Sequence, residues 1–322
     1  MTKPQRIFFL VYDGFQLLDV AGPGSVFSSA NIFLGTEAYR NISISCAGGG
    51  VMSTSGVAID TQQVGRIRLS AADTLLVSGA EETPLRAALR DEEMLNWLRR
   101  AVPKAGRFGS ICSGALILAK TGALDSRSAT THWRAQPTLT KYYPQIKASE
   151  DKLYVCDGPA WTSAGATSGI DMALEMVRRD HGNSIMHAVA KHLVVYAHRP
   201  GNQSQFSDVL AAQTGSDAAF SELIAWMRNN LGRGLNVSDL AARAAMSERT
   251  FHRKFTQATG KTPAKFLDEM RLDHARLLLE AHQPVKLAAA ATGFKSEGGF
   301  RAAFEEKYGI SPSLYRTVHT PR

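Results

Sequence analysis

Apolar runs and amphipathic stretches alternate along the N-terminal part of the chain. Runs such as IFFLVY and TLLVS are apolar throughout, which is typical of parallel strands covered on both faces. Helical patterns fall between these runs, so the alternation predicts an α/β domain layered around a mostly parallel sheet. The predicted strands are 6–12, 41–46, 74–78, 107–111 and 153–157, and the predicted helices are 91–101, 114–121, 168–180 and 183–197.

The pattern changes beyond residue 217, where strand signals disappear and helical segments follow one another between Gly and Pro residues. The predicted helices are 217–230, 238–244, 248–258, 263–281, 285–292 and 297–307. The connecting stretch 199–217 is polar and rich in turn residues at its start. We therefore expect an α/β domain over 1–205, a linker over 206–216 and an all-α domain over 217–322.

The C-terminal half contains an internal repeat with the same residue spacing in both copies. The repeated sets are Phe251, Phe255, Gly260 and Pro263, and Phe300, Phe304, Gly309 and Pro312. Phenylalanines four apart form one buried stripe on a helix, the Gly ends that helix, and the Pro begins the next. An Ala-rich helix and then Ser247 or Ser296, a residue type that favours helix starts, precede each copy. The pattern predicts two helix-turn-helix units joined by helix 263–281.

The first presumed recognition helix, 248–255, has a basic outer face. With its phenylalanines inward, it presents Arg249, His252 and Arg253 to solvent. A plain helical bundle would use the same phenylalanine core but does not explain this face. Arginine is the commonest reader of guanine edges in the major groove, so the pattern favours DNA binding.

The segments SERTFHRKFTQATGKTPAKFLDEMRLDHARLLLE and GFKSEGGFRAAFEEKYGISPSLYR resemble the DNA-binding domain of the AraC/XylS family over its whole length. The resemblance implies a double helix-turn-helix with Arg249, His252 and Arg253 at base-reading positions. The second unit departs from the usual pattern, because it has Glu297, Gly298, Gly299, Arg301 and Ala302 at the matching positions. We hypothesise that the first unit specifies sequence, while the second grips phosphate through Lys295, Arg301 and Lys307.

Composition and charge agree with two globular domains and a polyanionic partner. The chain has 322 residues and a net charge of +8, and its 44% hydrophobic and 20% charged residues exclude wholesale disorder. Residues 217–322 carry 16 Lys/Arg against 11 Asp/Glu, a net +5, whereas twice that length before them carries +3. The sequence shows no uninterrupted apolar run of membrane-spanning length, and its first apolar run is short for a signal peptide. Three cysteines without metal or CxxC spacing favour a reducing compartment, so we expect a cytoplasmic protein with no membrane partner.

The sharpest chemical signal in the N-terminal half is SICSG, residues 110–114, between an apolar run and a helix. This arrangement is typical of a nucleophile elbow, a strained strand-to-helix turn that projects one side chain, here Cys112. A helix N-terminus would favour its thiolate. The alternative is a buried, inert cysteine in a tight turn.

Other candidate residues follow the predicted strands. Asp19 could be a site carboxylate or a helix cap, and Gly79 and Ala80 could offer free backbone N–H groups or form a simple turn. His132 could be a general base for Cys112 or a core histidine. Trp133 and Trp161 could form aromatic walls for a cationic ligand or belong to the core. The sequence contains no HExxH pair and no phosphate-binding glycine loop, so we predict no metal and no cofactor.

The elements LLDVAGPGSVF, TLLVSGA, SICSGALILAKTGALDSRSATTHW and DGPAWTSAGATSGIDMALEMV together resemble the PfpI-like, class I glutamine-amidotransferase-type fold. With the AraC-type segment, the chain is similar to the GlxA family of transcriptional regulators. The resemblance implies a homodimeric sensor, often an activator that contacts RNA polymerase, with a small nitrogenous effector such as an amino acid or a quaternary amine. The implied pocket is lined by Asp19, Gly79, Ala80, Cys112, Ser113, His132 and Trp133.

An enzyme is the alternative that the same resemblance leaves open. Asp19 matches the catalytic Asp of isonitrile-hydrating relatives, so a cysteine-dependent hydrolase or hydratase with an attached DNA-binding domain would use Cys112, Asp19 and His132. Hydrolytic relatives commonly have His directly after the cysteine, where this chain has Ser113. A thiol without an adjacent base is poorly suited to acyl transfer. We therefore expect a binding site derived from a catalytic one.

Overall fold

A computed structural model of the chain describes residues 3–149, 152–195, 218–280, 283–294 and 296–318. Contacts divide the chain into two compact units, residues 1–205 and 206–322. The linker expected over 206–216 lies outside the described residues. Each unit is built around its own core.

The first unit contains an eight-stranded, mostly parallel sheet in the order β3-β4-β2-β1-β5-β6-β10-β9. The strands of this sheet are β1 (Gln5–Leu10), β2 (Tyr39–Ser45), β3 (Gly49–Met52), β4 (Ala58–Gln63), β5 (Thr74–Val77), β6 (Arg107–Ser110), β9 (Tyr154–Asp157) and β10 (Ala160–Ser163). Only the outer strands β3 and β9 pair antiparallel with their neighbours. A separate pair is formed by β7 (Ser128–Ala129) and β8 (Lys147–Ala148).

Helices cover both faces of this sheet. Successive strand residues point to opposite faces, so neighbouring residues of one strand pack against different helices. The helices are α1 (Leu17–Leu34), α2 (Glu82–Ala88), α3 (Glu92–Ala101), α4 (Ala115–Lys120), α5 (Gln136–Tyr142) and α6 (Ala166–His192). In β1, Phe8 joins the core under α3 and α4, whereas Phe9 joins the core under α1 and α6. The layered, mostly parallel α/β fold predicted from the apolar runs is confirmed.

The sequence analysis missed elements that lack a clear periodic signal. Strand β10 is only four residues long, yet it is the parallel neighbour of β6, and the predicted strand near 153–157 pairs outside it. Strand β3, at the edge of the sheet, and its neighbour β4 are mostly exposed and contain no apolar run. Helix α1 contains Pro23 between two glycines, which hides its pattern. By contrast, the two helices predicted over 168–180 and 183–197 are both present within α6, where the non-helical Gly182 (φ 85°) separates them and the second ends at His192.

Helix α1 is long and apolar enough to cross a membrane by length and composition, which the search for uninterrupted apolar runs did not show. In this fold, however, α1 packs Val26, Phe27 and Ala30 into the core of the α/β unit. Core helices of α/β domains share this composition.

The C-terminal unit, as far as it is described, consists of helices that pack around two separate cores. Its helices are α7 (Ala218–Asn230), α8 (Val237–Arg243), α9 (Glu248–Thr259), α10 (Pro263–Glu280), α11 (Val285–Ala291), α12 (Glu297–Tyr308) and α13 (Pro312–Val318). Phe251 and Phe255 are buried in one core, and Phe300 and Phe304 in the other. Helix α10 contributes to both cores. The two predicted helix-turn-helix units and their connecting helix are therefore confirmed, and α13 adds a helix after the last predicted one.

The predicted ends of α9 and α12 are also confirmed. Ser247 and Ser296 accept hydrogen bonds from the backbone N–H groups of Thr250 and Gly299 at the helix starts. Gly260 (φ 72°) and Gly309 (φ 75°) end the same helices in the left-handed conformation that glycine adopts without strain. These local signals fix where each presumed recognition helix begins and ends.

Candidate functional site

Cys112 lies on a strained strand-to-helix turn, which we call the elbow (Ser110–Gly114). It follows β6, precedes α4 and has φ of 57°, a left-handed value that costs about 1–3 kcal/mol outside glycine. The turn is tight: a Cβ on Gly114 would lie 2.4 Å from the carbonyl oxygen of Val77. The strained elbow predicted from SICSG is confirmed.

Asp19 lies beside the elbow in the first turn of α1 and is fully buried. Its Oδ2 accepts a hydrogen bond from the backbone N–H of Gly79 (2.7 Å). Its Oδ1 is buried too and has no hydrogen-bond partner among the described residues. Burial raises the pKa of Asp19 from 3.8 to about 7, because the single bond from Gly79 only partly offsets the loss of water.

The backbone N–H groups of Gly79 and Ala80 are already used, which corrects the expectation that they are free for a ligand. The Gly79 N–H donates to Asp19, and the Ala80 N–H donates to Oγ of Ser113 (3.0 Å). The Ser113 hydroxyl in turn donates to the Ala80 carbonyl oxygen (2.8 Å). These bonds fasten α1, the end of β5 and the elbow together. The N–H groups of Gly79 and Ala80 are therefore not available to stabilise an oxyanion.

The thiol of Cys112 is held in its protonated form. Burial raises the pKa of Cys112 to about 12, and the negative charge of nearby Asp19 raises it further, whereas hydrogen bonds from Ser113 lower it only in part. The expectation that a helix N-terminus favours the thiolate is therefore wrong for this site. Burial beside a carboxylate outweighs the helix dipole, whose stabilisation is typically about 0.3–1 kcal/mol.

We expect alkylation of Cys112 by iodoacetamide to be slow at pH 7 and to keep rising with pH up to pH 10 without levelling. The reason is that the thiolate fraction of a group with a pKa near 12 grows about tenfold per pH unit over that range. Mass spectrometry of the peptide that contains Cys112 would follow the reaction. A plateau below pH 8 would show a stabilised thiolate and contradict this description of the elbow.

His132 is half-buried near the elbow, but the structure does not place it as the base of Cys112. Its backbone N–H donates to the carbonyl oxygen of Cys112 (3.3 Å), while its Nδ1 accepts a hydrogen bond from the N–H of Arg134 (3.4 Å). Within the described part of the chain, no hydrogen bond joins the imidazole to the thiol. Burial and the charge of Arg134 lower the pKa of His132, so the ring is neutral at pH 7. His132 therefore contributes to the rim rather than to an activated pair.

The two candidate aromatic walls have different environments. Trp133 is 47% exposed and lies beside His132, with the guanidinium of Arg134 over its ring at 5.3 Å. Trp161 is 2% exposed in the core, and the guanidinium of Arg179 covers its ring at 4.5 Å. Trp161 is therefore a core residue, which corrects its candidacy as a wall.

Two residues that sequence reasoning missed also belong to this site. Tyr12, two residues after β1, donates its hydroxyl to the carbonyl oxygen of Ser78 (3.3 Å). Burial raises its pKa, and the charges of Asp19 and Cys112 raise it further. Glu81 lies 3.8 Å from Arg134 at the rim and raises the pKa of Cys112. Their position after strand ends is the signal that could have found them, since parallel strands gather such residues at one sheet edge. We call Asp19, Cys112, Tyr12 and the rim residues Glu81, His132 and Trp133 the candidate effector pocket.

The outer face of α9 is exposed and positively charged. Arg249, His252 and Arg253 are all exposed, while Phe251 and Phe255 on the opposite face are fully buried. No carboxylate of the described residues forms an ion pair with either arginine. The orientation predicted from the phenylalanine stripe is confirmed, and these side chains are free to approach a ligand.

Two of the three basic residues expected to contact phosphate, Arg301 and Lys307, form ion pairs within the protein. The guanidinium of Arg301 pairs with Glu297 (2.7 Å), and the amine of Lys307 pairs with Asp273 of α10 (2.8 Å). Lys295 lies outside the described residues. Gly298 is exposed, with open space where a Cβ would lie. The surfaces of the two presumed recognition helices are therefore chemically unequal.

Over the residues with described positions, no group of three or more His, Cys, Asp or Glu side chains is arranged to hold a metal ion. The chemistry of the pocket comes from one buried carboxylate, one protonated thiol and the hydroxyls beside them. These groups can accept or donate hydrogen bonds to a small polar molecule.

The chain thus combines an α/β unit that contains the elbow cysteine with a helical unit in which α9 presents a basic surface. The family model described as "DJ-1/PfpI family" matches residues 5–179, so the chain belongs to that family. The model described as "Helix-turn-helix domain" matches residues 240–317. The resemblance seen in the sequence motifs is thus confirmed for both halves.

Relatives with the same arrangement extend over nearly the whole chain. The chain is 30% identical to the HTH-type transcriptional regulator CdhR of Pseudomonas aeruginosa over 98% of its own length and 92% of the relative. It is 29% identical to the HTH-type transcriptional regulator GlxA of Rhizobium meliloti, with 97% and 95% covered. A ThiJ/PfpI family protein from Pseudomonas syringae shares the fold, with a TM-score of 0.56 and 23% identity over 76% of this chain and 92% of that one.

Proposed function

We propose that the protein is a sequence-specific, DNA-binding transcriptional regulator controlled by a small molecule in the candidate effector pocket. The proposal of DNA binding rests on Arg249 and Arg253, which are exposed on α9 and form no ion pair with a described residue, while the opposite face of α9 packs into the core. Regulators at about 30% identity with the same two halves support it. Such a protein acts where the DNA is, in agreement with the cytoplasmic location expected from its cysteines. As an activator it would also contact RNA polymerase.

In vitro selection from random duplexes with the full-length protein tests this function. We expect one enriched motif, whose affinity falls by orders of magnitude between about 50 and 200 mM salt because phosphate contacts release counterions. Fluorescence anisotropy on the selected duplex measures the slope, with a scrambled duplex of equal length as control. Failure to enrich any motif, or affinity that is insensitive to salt, would contradict the proposal.

The pocket supports an effector that donates an N–H to Asp19. A buried polar atom without a partner costs about 1–3 kcal/mol, and Oδ1 of Asp19 is such an atom. An ammonium, amide or guanidinium N–H would remove this cost, whereas a quaternary amine has no hydrogen to donate. Within the small nitrogenous effectors implied by resemblance, Asp19 favours amino acids over quaternary amines.

Proton NMR of a mixture of amino acids, amides and quaternary amines with stoichiometric protein tests the effector. We expect line broadening of one compound that carries an N–H donor, without its loss over time. Conversion of a compound into product would instead support the cysteine-dependent hydrolase or hydratase. The protonated Cys112 thiol and its lack of a bonded base favour binding over chemistry. Selective broadening of a quaternary amine would contradict the role given to Asp19.

Regulation requires only that the effector binds the DNA-competent form with a different affinity from the other form. We also propose that the α/β unit forms a homodimer, in which α1 takes part. Helix α1 exposes Leu18 (40%), Ile32 (64%) and Phe33 (40%), which is unusual for a helix that faces only water. Light scattering on the full chain measures its mass, and a monomer at micromolar concentration would contradict dimerisation.

A further inference from the structure

The two helix-turn-helix units touch each other away from their connecting helix. Gly293, in the turn before α12, has φ of 73° and packs against the turn Leu231–Gly234 of the first unit. A Cβ on Gly293 would lie 2.2 Å from the carbonyl oxygen of Leu231, so no larger residue fits without a shift. The second helix-turn-helix unit therefore packs directly against the backbone of the first.

Arg271, in the middle of α10, bridges the two units at the same place. Its Nη2 donates to the carbonyl oxygen of Leu235 (2.7 Å), which lies just before α8 of the first helix-turn-helix unit. Its guanidinium also lies over the ring of Phe294 (5.7 Å), in the turn of the second unit. Its Nη1 pairs with Asp268 (3.1 Å), which holds the guanidinium in this orientation. Only 11% of the Arg271 side chain is exposed, so its charge is not offered to a partner.

We propose that Arg271 is a positioning residue that, with Gly293, fixes the two recognition helices relative to each other. DNA binding by both units then requires one spacing between the two subsites. Besides the clasp formed by Arg271, Leu235, Gly293 and Phe294, the units are joined through α10, for example by Lys307 with Asp273, and where Gly232 faces the backbone of Ala291 at the end of α11. Without the clasp, the turn that leads into α12 would lose its direct contacts with the first unit. This positioning role rests on the proposed DNA binding and is independent of the candidate effector pocket.

The planar guanidinium suits this task better than an amine. It presents several N–H donors in a fixed fork and stacks on an aromatic ring, so one side chain holds a carbonyl, a carboxylate and a ring together. Lysine at this position keeps the charge but lacks both the fork and the flat face. Arg271→Lys therefore separates the geometric role of the side chain from its charge.

The test uses the duplex selected by the full-length protein and derivatives with one base pair inserted between the two subsites. Each added base pair turns the second subsite by roughly 35° and moves it about 3.4 Å. We expect the wild type to lose at least about tenfold in affinity on insertion. We expect Arg271→Met and Arg271→Lys to lose less than threefold on insertion, because the second unit can follow its subsite. Arg228→Met, an exposed arginine of α7, removes the same charge and should keep the wild-type penalty.

A duplex that keeps only the first subsite separates positioning from folding. We expect the Arg271 variants to bind it within about twofold of the Arg228→Met control, which would show that the first unit is intact. An unchanged insertion penalty in both Arg271 variants would overturn the proposal. So would loss of single-subsite binding in both, since Arg271 would then be a folding residue. Gly293→Ala, which forces the two turns apart, should relax the spacing in the same way, and retention of the full penalty would count against the clasp.

Discussion

Replacing Arg253 with alanine is expected to relax base preference at one or two positions of the selected site, with a loss of about 1–3 kcal/mol, or roughly 5- to 150-fold, against the preferred bases. Arg253 is exposed on α9, has no ion pair with a described residue, and lies two residues before the fully buried Phe255. Its side chain is therefore free to form a bidentate contact with a base edge. Binding to unrelated duplexes should fall only by the loss of one charge.

Arg301→Ala is the comparison in the second helix-turn-helix unit. Arg301 lies one residue after the buried Phe300 but is held by Glu297 (2.7 Å) within its own helix. We expect this variant to weaken all sequences alike and to reduce the salt slope by about one, as a phosphate contact does. Repeated selection with each variant measures base preference directly. Equal relaxation of preference by both would contradict the division of labour between the units.

Asp19→Asn is expected to make the protein more stable at pH 8 while abolishing the response to the effector. Burial raises the pKa of Asp19 from 3.8 to about 7 in the folded protein, so the ionised carboxylate destabilises the folded state relative to the unfolded chain. At about 1.4 kcal/mol per pH unit, the full effect is about 4 kcal/mol. Asparagine can still accept the Gly79 N–H but is never charged. Its amide group, however, offers a donor where the effector needs an acceptor.

The pH dependence follows from the direction of this shift. Between pH 4 and 7 the folded wild type binds the proton that the unfolded chain has released, so its stability falls as pH rises through that window. The advantage of the Asn variant should thus be absent below pH 4, grow up to pH 7 and then level. Urea unfolding followed by circular dichroism at pH 4.5, 6 and 8 measures it. Asp60→Asn, an exposed carboxylate in β4, should show no such trend. A lower stability of Asp19→Asn at pH 8 would contradict a carboxylate destabilised by burial.

Local signals explain why both helix-turn-helix units of the C-terminal half were predictable almost residue by residue. The phenylalanine pairs, the serine caps at Ser247 and Ser296 and the glycine ends at Gly260 and Gly309 act within one or two helical turns. Such signals do not depend on distant parts of the chain. The elbow was predictable for the same reason, because Gly114 and Cys112 lie in one short turn. Strand β10 was missed because four buried residues carry no periodicity, and the sheet around them decides their conformation.

The sequence by itself determined the fold class of both halves, the elbow at Cys112 and the basic outer face of α9, because these depend on periodicity and on neighbours a few residues away. Only the tertiary structure decided that the N–H groups of Gly79 and Ala80 are occupied and that the thiol stays protonated. It also decided that Arg301 is paired and that Arg271 joins the two units. Hydrogen-bond partners and burial depend on residues distant in sequence, and these set the charge and availability of each group.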